Sequence, residues 1–179
     1  MTEAKSKREK TSDSLRLSMA HSFVDLMKEK PIDKITVQEI TDLAGVGRAT
    51  WFRLFHSKEN ALSWLIQNMW KEYLIENEYT DHQPTDQENG ILFFHFNYRN
   101  RDLLRLIYQQ GMKYTVYEAY HQLLLPHPTE EIIILYIANT AAYAMVGIID
   151  EWIQRDCQET PEQLISLVSA ATQQSNANY

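Results

Sequence analysis

The 179-residue chain has a single cysteine, Cys157, and only five glycines and five prolines. One thiol can build neither a disulfide framework nor a thiolate zinc site, and it suits a reducing compartment. So few glycines and prolines, mostly at the ends of periodic segments, disfavour a many-turned β-sheet. None of the glycines builds a phosphate-cradling loop. The six histidines include no i,i+4 pair and no HExxH pattern, so no metal and no cofactor is expected. No Ser/His/Asp order or Cys/His pairing stands out. The catalytic set is therefore none, and the chain is not read as an enzyme. The basic start is followed by no apolar run of the signal-peptide kind, which points to a cytoplasmic location. An overall excess of positive charge is missing too: 17 Lys and Arg stand against 24 Asp and Glu, a net of −7.

What is present is helical periodicity. Apolar residues make up 44% of the chain. Leu15, Met19, Phe23, Leu26 and Met27 recur at helix spacing before Pro31, within a first helix expected over 12–29. Ahead of it, residues 1–10 carry Lys5, Lys7, Arg8 and Lys10 and read as a basic N-terminal arm. The stretch from Ile35 to Leu62, ITVQEITDLAGVGRATWFRLFHSKENAL, says most. Thr36 and Glu39 form a capping box that opens a short helix with Val37, Ile40 and Leu43 on one side. Gly45 suits the left-handed residue that ends it. A second short helix, 47–55, mixes Arg48, Thr50 and Arg53 with Trp51, Phe52 and Phe55. Ser57, Lys58 and Glu59 then supply an N-cap and first-turn charges for the next helix. Helix, glycine turn and short basic-aromatic helix is the order of a helix-turn-helix, whose second helix enters the major groove of DNA.

AGVGRATWFRLFHSKENAL resembles the recognition-helix signature of TetR-type (TetR/AcrR) transcriptional regulators. The motif covers about 28 residues, and the body agrees in architecture alone. The resemblance implies an all-α protein: an HTH DNA-binding domain at 11–56, then a helical regulatory and dimerisation domain at 57–179. It implies double-stranded operator DNA as partner, contacted through Thr36, Gln38, Gly47, Arg48, Ala49, Thr50, Phe52, Arg53 and Lys58. Arg48, in the first turn, has the geometry to hold guanine O6 and N7 together. Lys58 adds an ammonium to a helix N-terminus, a combination that favours a phosphate. Three departures from the signature stand out: Gly47 replaces a serine cap, Phe52 a tyrosine, and Leu54 a histidine or tyrosine.

The charge is segregated. Residues 1–60 hold 11 Lys and Arg against 9 Asp and Glu, and residues 61–179 hold 6 against 15. Only the end with the motif is basic, which suits local neutralisation of phosphates. A polar break at 79–90 precedes helices expected over 91–97, 102–110 and 112–125. In the family such helices can enclose a small-molecule effector, here among Phe93, Phe96, Tyr108, Tyr117, His121, Tyr136 and Tyr143. Residues 132–149 run 18 long without a charge. Asn139 and Thr140 at the centre, acidic flanks and absent Lys/Arg anchors favour a helix buried on two sides over a membrane span. Ile137, Ala141, Ala144 and Ile148, with Leu164, Leu167 and Ala171 of a last helix, form the expected homodimer seam. The opposite side carries Tyr136, Tyr143 and Trp152, which suit the protomer's own core. The expected function is a homodimeric repressor released by an effector. An adaptor or co-activator on the same fold, governed by a partner protein, is the alternative.

Overall fold

The computed structural model describes residues 2–79, 86–124 and 131–177. Among them there are nine α-helices, one short 3-10 turn and no strand. The helices are α1 (Thr2–Glu29), α2 (Val37–Leu43), α3 (Arg48–Leu54), α4 (Lys58–Glu76), α5 (Asp86–Arg99), α6 (Arg101–Gln109), α7 (Lys113–Leu124), α8 (Ile132–Gln154) and α9 (Pro161–Ala177). Two begin earlier than periodicity suggests. α1 runs through the expected arm, where Glu, Ala, Lys and Arg are strong helix formers despite having no apolar stripe. α5 starts at Asp86, within the expected polar break. The N-caps that sequence marks are in place. Ser57 accepts from Asn60 N at 3.1 Å, and Thr160 and Gln163 form a reciprocal capping pair around Pro161.

Contacts divide the chain into two compact units, one of residues 1–68 with 106–122 and one of 69–105 with 123–179. The first unit is built on Trp51, which is buried and meets Phe23 and Phe55 edge-on at centroid distances of 6.4 and 5.2 Å. Met19, Met27, Ile40, Leu62 and Leu65 complete its apolar centre, joined by Ile107, Val116 and Tyr120. Truncating a buried aromatic of this kind costs about 3–5 kcal/mol, so Trp51 is the residue on which α3 depends.

The second unit packs α5 against α9 and against α8. Trp152 stacks on Tyr98 and donates its indole N–H to the Glu159 carbonyl at 3.0 Å. α8 has the length and hydropathy of a membrane span, yet its outward side is what sets it apart. Ala138, Ala142, Ile149 and Trp152 are buried, while Ile132, Ile133, Tyr136, Ile137 and Tyr143 are exposed. Only 17% of its most apolar window is covered within the chain. The expectation of a helix buried on two sides is thus met on one. Tyr136 and Tyr143 do not fill the protomer's core with Trp152; a helical turn of 3.6 residues carries them round to the open face.

Candidate nucleic-acid interface

The interface is assembled from α2, α3 and the start of α4. Thr36 Oγ1 accepts from Glu39 N at 3.2 Å, and the Glu39 carboxylate accepts from Thr36 N at 2.8 Å, the capping box read from the sequence. Lys30 also pairs with Glu39. That ammonium, with the Thr36 backbone amide, holds the Glu39 carboxyl at about 2, far below its usual 4.5. The Thr36 hydroxyl donates to the same carboxylate at 2.9 Å. To donate to a phosphate it must give that bond up.

α2 ends on a glycine turn. Gly45 has φ +68, Val46 N donates to Thr41 O at 2.9 Å and Gly45 N to Asp42 O at 3.2 Å. These are the two bonds of a Schellman cap, and a side chain at Gly45 is disfavoured by the backbone itself. Gly47, in extended conformation, then caps α3 without a side-chain bond, as the missing serine implies.

On α3 the division of faces is clean. Trp51 points inward, and Arg48, Ala49, Phe52 and Arg53 lie on the exposed side with Thr50 half-buried. Phe52 is 50% exposed, and the Arg48 guanidinium sits 5.4 Å from its ring centroid, one turn along. Among the described residues Arg16, Arg99, Arg105 and Arg155 each hold a carboxylate. Arg48 and Arg53 hold none. An exposed two-turn helix with two uncompensated guanidinium groups is equipped to meet an anion. Gln38 is turned to its own helix, donating to Asp42 at 2.7 Å.

Lys58 stands in the first turn of α4. It donates to the Ile32 carbonyl at 2.8 Å and is partly buried there. Its remaining two protons are the ones left for a phosphate. Neither this bond nor the Lys30–Glu39 pair is signalled by local spacing, because partners 26 and 9 residues apart meet only through the fold.

The expected effector residues are divided between the two units. Phe93 and Phe96 are buried in the second unit, Phe96 between Trp70 and Tyr73 at 5.1 and 5.6 Å. Tyr117 belongs to the first unit, flanked by Tyr114 and stacked on His121 at 5.7 Å; Tyr108 is half-buried. The His121 Nε2 atom is buried without a hydrogen-bond partner. Tyr136 and Tyr143 face outward. Two cavities of the second unit lie beside described residues. One of about 80 Å³ is lined by Met69, Tyr73, Glu76 and Arg99 among others, and an open groove of about 490 Å³ runs beside Gln163 and Leu167. Neither is lined by any of the seven.

Of the expected seam, Ile137, Ala144 and Leu167 are exposed, and Ala141 and Ile148 are half-buried at its edge. Leu164 is buried within its own unit, since α9 turns that side onto α5. The side chain of Ala171 lies outside the described residues.

These features define a helix-turn-helix regulator. Residues 87–174 match the family profile described as a transcriptional regulator C-terminal region of TetR type. By that profile over its C-terminal half, the chain is similar to the TetR-type family of transcriptional regulators, a family of DNA-binding proteins. It is 32% identical over 59 residues to the HTH-type dhaKLM operon transcriptional activator DhaS of Lactococcus lactis subsp. lactis (strain IL1403). That match covers 33% of this chain and spans about a third, 32%, of the relative. Among solved structures, Lin0861 from Listeria innocua superposes with a TM-score of 0.72 at 15% identity, over 91% of each chain. The dihydroxyacetone kinase operon activator DhaS superposes with a TM-score of 0.52 at 20% identity, over 88% of this chain and 93% of that one. Identities this low establish a shared fold.

Proposed function

We propose that the protein is a sequence-specific, cytoplasmic DNA-binding regulator acting as a homodimer on a roughly palindromic operator. The observation that carries this reading is the exposed face of α3, where Arg48 and Arg53 stand without carboxylate partners beside Ala49 and Phe52. Arg48 reads a guanine in the major groove, Ala49 admits the helix deeply, and Thr36, Thr50, Arg53 and Lys58 hold phosphates. Two such helices in a dimer match successive major grooves about 34–36 Å apart. The dimer forms through the open apolar side of α8, with Leu167 of α9. A homodimer hides that surface from water.

In the repressor form of this reading, a small-molecule effector in the helical body changes the separation of the two recognition helices and releases the operator. It does so only through different affinities for the two states. The buried, unpartnered Nε2 of His121 favours a ligand with a polar group. A second reading, an activator answering to a partner protein, is favoured by the name of the relative DhaS, which is that of a transcriptional activator.

Selection of bound sequences from random DNA by the full-length protein tests the reading. A palindromic consensus, with binding that weakens steeply as salt rises, is the expected outcome. No sequence preference at all would overturn it. A reporter placed behind the selected site, with and without the protein, then gives the sign of regulation.

A further inference from the structure

The corner between α1 and α2 is a place where the backbone cannot satisfy itself. α1 ends at Glu29, so the Met27 carbonyl is among its last, open acceptors. Pro31 has no N–H, and the Ile32 N–H starts a 3-10 turn with nothing preceding it in the chain to accept its proton. One remote side chain closes both gaps. Gln110 donates from Nε2 to Met27 O at 2.8 Å, with Lys30 O at 3.4 Å, and its Oε1 accepts from Ile32 N at 2.9 Å. A carboxamide carries donor and acceptor side by side, which suits it to both gaps at once.

Gln110 is itself held in place. It caps α6, followed by Gly111 at φ +74, with Met112 N bonded to Ile107 O at 2.9 Å and Gly111 N to Tyr108 O at 3.0 Å. That is the same Schellman turn that ends α2. The corner that Gln110 grips is also tied to the DNA-facing elements. The Ile32 carbonyl takes the Lys58 ammonium at the start of α4, and Lys30 takes Glu39 of the α2 capping box.

We propose that Gln110 is a positioning residue for DNA binding, a clip from the α6–α7 turn that fixes the α1–α2 corner and through it the direction of α2 and α3. The inference rests on the DNA-binding reading and adds a control point to it. Anything that shifts the α6–α7 turn opens the clip and weakens the operator complex, and operator binding in turn holds the clip closed, since linkage is reciprocal.

The test uses the full-length chain, its selected operator, and operators with half-sites one base pair closer or farther. Gln110→Met keeps the length and removes donor and acceptor. Losing bonds of ordinary net strength should weaken operator binding about tenfold or more. The preference for one spacing should flatten as well, while sequence-independent binding at low salt stays as it was. A general loss of stability would lower all complexes alike and leave the spacing preference intact, and that result would overturn the proposal. If the variant does not fold, amide exchange at Ile32 in the unaltered protein decides. Added operator should slow it beyond the neighbouring amides, and an unchanged rate overturns the clip. Absence of any selected operator is a separate outcome, which removes the DNA-binding reading itself.

Discussion

α3 and α8 each present a face that the single chain leaves unmatched, and they do so with opposite chemistry. α3 is two turns long and shows two guanidinium groups without carboxylates. α8 has 23 residues and shows isoleucines and tyrosines with no charge among them until Asp150. Uncompensated charge is stable in water and waits for a counter-charge; uncovered apolar area is costly in water and favours being covered at once. The first is the property of a surface that binds and releases. The second is the property of a permanent contact. The contrast supports the proposed function, in which α3 takes the reversible DNA contact and α8 the lasting assembly.

The sharpest way to break that comparison is Ala144→Glu. Ala144 is exposed within the chain, so the carboxylate should leave the protomer's thermal unfolding nearly unchanged. At a dimer seam the same group would be buried without a partner, at a cost on the order of several kcal/mol. Sedimentation velocity should show monomers, and operator binding should vanish with the second half-site. A variant that stays dimeric with unchanged affinity would move the interface off this face.

Substitutions on α3 should act on a smaller scale. Arg48→Ala is expected to cost about 1–3 kcal/mol on the selected operator and to relax one base position. Lys58→Ala should instead weaken binding to every sequence alike. Because its ammonium also holds the Ile32 carbonyl, it should lower thermal stability too, which Arg48→Ala should not. Competition assays against random DNA, run beside thermal melts, separate the two. Equal effects on all sequences for both variants would make Arg48 a phosphate contact.

The same two helices show how far sequence alone reaches. α2 and α3 were legible to within a residue because each boundary is set locally: Thr36 with Glu39, Gly45, Gly47 and Ser57 all act on neighbours in the chain. The existence of α8 was legible for a similar reason, its long uncharged run. Which of its sides meets the protomer was not, because an apolar-all-round helix carries no internal mark of direction, and the side opposite the small-residue stripe, with Tyr136 and Tyr143, reads equally well as core. Gln110 and Lys58 were harder still. Gln110 looks like any polar residue before a glycine, and its partners lie 78 to 83 residues away. Lys58 sits in a motif that implies phosphate binding, and only the fold brings the Ile32 carbonyl beside it. In both cases the determining group is a backbone atom, which no side-chain pattern records.

The smallest expected effect concerns Glu39, which belongs to the DNA-facing helices yet contributes through charge pairing. Its carboxyl is held at about 2 in the folded chain against an ordinary 4.5, chiefly by Lys30 and then by the Thr36 amide. A group whose folded value is depressed binds fewer protons folded than unfolded in the window between those values. Its contribution to stability is therefore complete above about pH 4.5 and is lost as pH falls toward about 2. Glu39→Gln removes the charge while leaving an oxygen to accept from Thr36 N. The unaltered chain should melt at a slightly higher temperature than this variant at neutral pH, and the gap should close across that acid window. Thermal midpoints measured from pH 7 down to where the fold is lost check it, with the variant subtracting the titration of all other carboxylates. A gap that stays constant in acid would mean that Glu39 acts through its hydrogen bonds alone. The Lys30 pair would then add nothing to the α1–α2 corner, leaving Gln110 and Lys58 to hold it.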